Sequence, residues 1–187
     1  MDELFSKEEQ KVNDVVNQVD EKMKYFTEIG NPIVEYYSSD LDTIMNKITT
    51  FIQGYKTEDM NVNELQYYFM QLTSAIYFTS TSVEKVGLLM DLSNMNYKDA
   101  FNTHLLNHSD KDAKLTVVKL QALADKNSLE ENVVNFIYSR TYKILKSKVD
   151  SANEMVRTLS KIISYRMQTN GAEDKFDVNT KRLLMEG

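Results

Sequence analysis

The chain has 187 residues, 42% of them hydrophobic, which is enough for the core of one ordinary domain or two small ones. It has a formal net charge of -6 and no cysteine, which excludes disulfide staples, thiolate zinc sites, iron–sulfur clusters and cysteine nucleophiles and fits a reducing compartment. Five glycines and one proline leave few helix breakers, so the composition predicts an all-α chain.

Ser6-Lys7-Glu8-Glu9 has the S-x-x-E form of a capping box. It opens a helix in which Val12, Val15, Val16, Val19 and Met23 fall at helical spacing, with an end expected at Gly30-Asn31. Pro32 suits the first turn of a second helix, carrying Ile33, Tyr37, Leu41, Ile44, Ile48 and Phe51 and ended by Gly54. Residues 1–55 are therefore expected to form an acidic helical hairpin. After a polar connector over residues 55–62, Leu65, Phe69, Leu72, Ile76, Thr79, Val83, Val86 and Met90 alternate four- and three-residue steps, the pattern of a helix-packing seam.

A shorter helix is expected from about Asn96 to Leu106, then a loop over NHSDKDA, then Thr116 as N-cap of a helix from Val117 to Lys126. Asn127 ends that element. Ser128-Leu129-Glu130-Glu131 supplies a second capping box, for a last helix running to about Gln168 and about 60 Å long. Along it Tyr138, Tyr142, Leu145, Val149, Ala152, Val156, Leu159 and Ile163 keep a strict 4-3-4-3 spacing. A helix of that length exceeds what a compact globule of this size covers, so an elongated helical bundle is expected, with the seams shared in a homo-oligomer. The tail, residues 169–187, is short and mixed, and reads as disordered or docked on a neighbour.

Residues 139–167 carry seven Lys or Arg against two acids, a balance of +5 that leaves -11 for the remainder of the chain. Lys143, Lys146, Arg157 and Lys161 fall on roughly the opposite side of the last helix from the seam, with Lys148 and Arg166 flanking it. Such a single-sign stripe is either a solvated face or a surface for a partner of opposite sign. Tyr165 lies off the seam line and is a candidate for base stacking beside these cations, whereas the seam positions of Tyr138 and Tyr142 favour packing. The first 64 residues hold fourteen acids against six lysines, a net of -8 that either shields the assembly or meets a basic partner.

Other chemistry finds little support. His104 and His108 stand four apart, a zinc-ligand spacing, but two ligands are not a site and no Glu lies between them, so no metal is expected. The five glycines are isolated, which removes a phosphate loop, and no nucleophile-elbow pattern supports a hydrolase triad. No enzyme activity and no cofactor are expected. The start, MDELFSKEEQ, lacks an apolar h-region, and no run of about 18 apolar residues occurs, so neither export nor membrane insertion is expected.

The segment KLTVVKLQALAD at 114–125, followed by IYSRTYKILKSKVDSANEMVRTLSKIISYRM, resembles the UvsY-type recombination mediators of T4-like and related large phages. The resemblance rests on Lys114-Leu115-Thr116 and on Tyr138, Tyr142, Lys143, Lys146, Asp150 and Ala152. It extends through Met155, Leu159, Ser164, Arg166 and Met167. It is strongest over 114–168 and looser over 60–113, at LQYYFMQLTSAIYF and YKDAFN, while residues 1–55 have no counterpart. It implies a mediator-like core over 60–168 that forms ring-like homo-oligomers and binds single-stranded DNA. It also implies help in loading a phage recombinase onto strands covered by single-strand-binding protein, in the cytoplasm of the infected bacterium.

The nucleic-acid contacts implied on this chain are Lys98, Arg140, Lys143, Lys146, Lys148, Arg157, Lys161, Tyr165 and Arg166. One departure stands out: between residues 86 and 115 only Lys98, Lys111 and Lys114 occur, beside Asp99, Asp110 and Asp112, so the last helix would carry most of the affinity. The rival reading is a non-enzymatic scaffolding or interaction protein whose basic stripe pairs with the acidic half of a neighbouring subunit.

Overall fold

The structure is a computed structural model that describes residues 13, 16, 17, 19–111 and 116–185, with side-chain surroundings given outside 108–111 and 170–185. It is all-α, with no strand among the described residues. The chain runs through a π-turn at Phe26–Gly30 into α1 (Asn31–Gly54), a 3-10 turn at Thr57–Asp59, α2 (Val62–Lys111), α3 (Val117–Asn127) and α4 (Leu129–Met185). The Ser6 capping box and the loop residues 112–115 lie outside the described residues.

The helix end expected at Gly30-Asn31 is not made. Tyr25 and Asn31 are both right-handed helical, and Asn31 N–H donates to the carbonyl of Phe26, five residues back. Pro32 explains the wide turn: it has no N–H to donate, and its ring would press on the carbonyl four residues earlier, so the helix widens locally and does not break. Residues 19–54 thus form one helical run in place of the hairpin expected over residues 1–55. Gly54 ends α1 as the composition indicated, because the next residues, Tyr55 and Lys56, leave helical geometry before the 3-10 turn.

Two further breaks are absent. The shorter helix expected at 96–106 is part of α2, which continues to Lys111, and α4 passes through Gly171 to Met185, so the described part of the tail is helical. A lone glycine or asparagine costs a helix at most about 1 kcal/mol, which a long helix absorbs. Thr116 does precede α3 in extended geometry, but its hydroxyl makes no capping bond. The second capping box is also not formed. Ser128 N–H already donates to Ala124 O (3.0 Å) because the chain enters α4 directly from α3, and the Ser128 hydroxyl donates to the same carbonyl (2.8 Å). With the Ser128 N–H occupied, Glu131 Oε2 is left buried without a partner.

The chain divides into two compact units that interleave along the sequence, residues 1–37 with 82–146 and residues 38–81 with 147–187. An apolar stripe is shared with whichever helix lies beside it, not with sequence neighbours. In unit 1, Phe26, Val34, Val83, Val86, Ala124, Ile137 and Leu145 are buried, and Phe26 meets Phe136 edge-on at 6.4 Å. Gly30 is buried under the Phe26 ring, which a β-carbon would meet at 2.4 Å. Gly87 lies less tightly against Tyr142, with one ring carbon 3.2 Å and another 3.5 Å from where its β-carbon would stand.

Unit 2 has a core of Leu41, Ile48, Phe51, Met60, Leu65, Leu72, Ala75, Ala152 and Leu159, drawn from α1, the connector before α2, α2 and α4. Phe51 packs on Tyr68 at 5.2 Å. The seam of α2 is as its spacing indicated: Leu65, Leu72, Thr79, Val83 and Val86 are buried and Phe69, Ile76 and Met90 half-buried. In α4, Leu145, Ala152 and Leu159 are buried and Val149, Val156 and Ile163 half-buried. Nearer the start of α4 the deepest line shifts by one residue to Ile137 and Thr141, leaving Tyr138 and Tyr142 half-buried on its flank.

Candidate nucleic-acid interface

At about 100° per residue, Arg140, Lys143 and Lys146 of unit 1 fall on the side of α4 away from Leu145, and in unit 2 Arg157, Lys161 and Tyr165 fall on the side away from Ala152 and Leu159. In each unit, burial of the apolar side is therefore what exposes the other. All six outward residues are exposed.

In unit 2 the outward side also carries Asp150 and Glu154, both exposed. Arg140, Lys143 and Lys146 belong to unit 1, whereas Arg157, Lys161 and Tyr165 belong to unit 2. Arg157 is bonded to Glu154 one turn back, with both side chains about two-thirds exposed, a pair that water screens and that a phosphate displaces at little cost. Lys143, Lys146 and Lys161 make no ion pair with any described residue. Tyr165, 48% exposed, offers a ring one turn from Lys161.

Two of the expected contacts are already bonded within the chain. Lys148 is half-buried and bonded to Asp42 of α1, whose same oxygen accepts the hydroxyl of fully buried Ser38 at 2.8 Å. Arg166 is half-buried, and its Nε donates to Met60 O at 3.2 Å, tying α4 to the residue just before α2. Both cations therefore help to fasten unit 2. Lys98 is exposed, but it borders a cavity of about 380 Å³ shared with Tyr97, Phe101, Asn102 and Asp125, so an acid lies beside it. Tyr97 donates to Asp125 Oδ1 at 3.2 Å, and partial burial, then that hydrogen bond and the carboxylate charge, raise its pKa above 10.0.

Sequence spacing marked the outward cations but not the partners of Lys148 and Arg166, which lie 106 residues away in each case. Tyr67, Tyr77 and Phe78 are exposed on α2, while Tyr68 and Phe69 are half-buried. His104 is half-buried, His108 lies outside the residues whose side chains are described, and no group of three or more potential metal ligands occurs among the described residues. No helix among the described residues is long and apolar enough to cross a membrane. Comparison with protein-family models, with curated proteins and with solved structures finds no match to this chain.

Proposed function

We propose that the protein is a non-enzymatic recombination mediator of a phage-infected bacterium. It binds single-stranded DNA through the outward face of α4, assembles as a ring-like homo-oligomer in the host cytoplasm, and assists loading of a recombinase onto strands covered by single-strand-binding protein. The observation that carries this reading is the exposed set Arg140, Lys143, Lys146, Arg157 and Lys161 opposite a buried seam, in a chain that is otherwise acidic. Backbone phosphates need cations at loose spacing and no base-reading module, which is what such a face offers. A ring multiplies weak contacts of this kind into avid binding. The resemblance over 114–168 supports the same reading.

The test replaces Lys143, Lys146, Arg157 and Lys161 together by Ala and measures binding to a homopolymer strand across a salt series. Folding is retained, since exposed charges contribute about 0–1 kcal/mol each. Affinity falls, and the plot of log K against log salt flattens by roughly 0.7 for each phosphate contact removed. Equal slopes for the wild type and the quadruple variant would assign the stripe to protein contacts and so favour the scaffolding reading.

A further inference from the structure

In unit 2 a groove of about 420 Å³ runs between α1 and α2. Its walls are Asp40, Thr43, Ile44 and Lys47 of α1 and Gln71, Ser74, Ala75 and Phe78 of α2. Each set follows the i, i+3, i+4, i+7 spacing of a single helix row, so the groove is the seat between two ridges into which a further helix packs. The two rows are in register: Phe51 meets Tyr68, and seven residues further along each helix stand Ile44 and Ala75. The floor is small, at Ser74 and Ala75, and the α2 wall mixes polar Gln71 and Ser74 with Phe78, which is 67% exposed and whose ring meets that of Tyr77, 70% exposed, at 5.6 Å. Exposed aromatic rings at the edge of such a groove mark a contact face.

The charges identify the occupant. Asp40 and Lys47 are both exposed, neither is ion-paired with a described residue, and they stand equally far on either side of the Thr43–Ile44 midpoint. We propose that this groove is a two-fold self-association surface. In it, α1 of a second copy lies antiparallel to α1, with Asp40 facing Lys47 of the partner subunit and Lys47 facing Asp40 of the partner subunit. A uniformly acidic or basic partner would meet one like charge across this span of roughly 10 Å, whereas a copy of the same surface meets none. The contact is isologous, while a ring closes through heterologous contacts, so this surface is separate from any ring interface and independent of what the basic helix binds.

The chain has no cysteine, so a single introduced thiol reports the axis directly. Thr43→Cys, next to the axis, gives a covalent dimer with a short bismaleimide, whereas Thr49→Cys, exposed but off the groove row, does not. Asp40→Lys and Lys47→Asp each turn two attractive pairs into two repulsive ones and weaken self-association by about tenfold or more, measured by light scattering across a dilution series. Mixing the two single variants restores association, because every facing pair is then opposite in sign, and the double variant associates like the wild type. Absence of the Thr43→Cys crosslink, or single variants that associate as tightly as the wild type, would overturn the proposal. So would a mixture no tighter than its components.

Discussion

Replacing Asp42 by Ala tests whether Lys148 belongs to the fold or to the interface. The substitution removes the carboxylate that holds Lys148 and leaves the fully buried Ser38 hydroxyl without its acceptor. A buried hydroxyl left unpaired costs about 1–3 kcal/mol, and the low end applies here because a helical serine turns back to the carbonyl four residues earlier. The ion pair adds about 0–1 kcal/mol, discounted because roughly a third of each side chain is exposed. Asp42→Ala is therefore expected to cost about 1–2 kcal/mol, a fall of about 2–8 °C in Tm for a chain of this size. Lys148→Ala should cost less, about 0.5–1 kcal/mol, and the double variant should fall short of the sum of the singles. Thermal and urea unfolding give these values, and strand binding is measured on the same proteins. The expected pattern is that Lys148→Ala loses stability but keeps the wild-type salt slope, while Lys161→Ala does the reverse. The reasoning fails if Lys148→Ala flattens the slope as much as Lys161→Ala, or if Asp42→Ala unfolds with the wild type.

Leu159→Ala, at a fully buried position, should cost about 2–5 kcal/mol, and half-buried Val156→Ala clearly less; equal losses by urea unfolding would place the seam centre wrongly. Gly30→Ala, which as a helix substitution would gain up to about 1 kcal/mol, should instead destabilise by about 1–3 kcal/mol because the new carbon meets the Phe26 ring. Gly54→Ala, with open space around it, should not, and the two melting curves decide the matter. Tyr97 has its pKa raised in the folded protein, so the folded state keeps a proton that the unfolded chain releases near pH 10. Its contribution is fully present below that pH and is lost as pH rises through the folded value. Tyr97→Phe should therefore show a shallower loss of urea midpoint above pH 10 than the wild type, and identical pH profiles would contradict the assignment.

The helical class and the buried seams were legible because a helix repeats every 3.6 residues whatever surrounds it, so Leu65, Leu72, Leu145, Ala152 and Leu159 declare an inward face from spacing alone. The outward set follows from the same period, which is why Lys143, Lys146, Arg157 and Lys161 are exposed as their spacing indicated. Helix ends were less legible. Gly30-Asn31-Pro32, Gly171 and the region near Asn96 express local preferences of about 1–3 kcal/mol, and a helix already packed along its length continues through them, with a π-turn where Pro32 withholds a donor. Ser128 shows the same limit: its motif is that of an N-cap, but its N–H has a partner in α3 before the cap can form. The division of the cations was not in the sequence at all. Lys148 and Lys146 differ by two residues in one basic run, and only the arrival of Asp42, 106 residues distant, makes the first a fastening of the fold while the second stays in water. A helix's period is set by its own backbone, whereas the partner of a charge is set by which other helix comes to lie beside it, and that is decided in three dimensions.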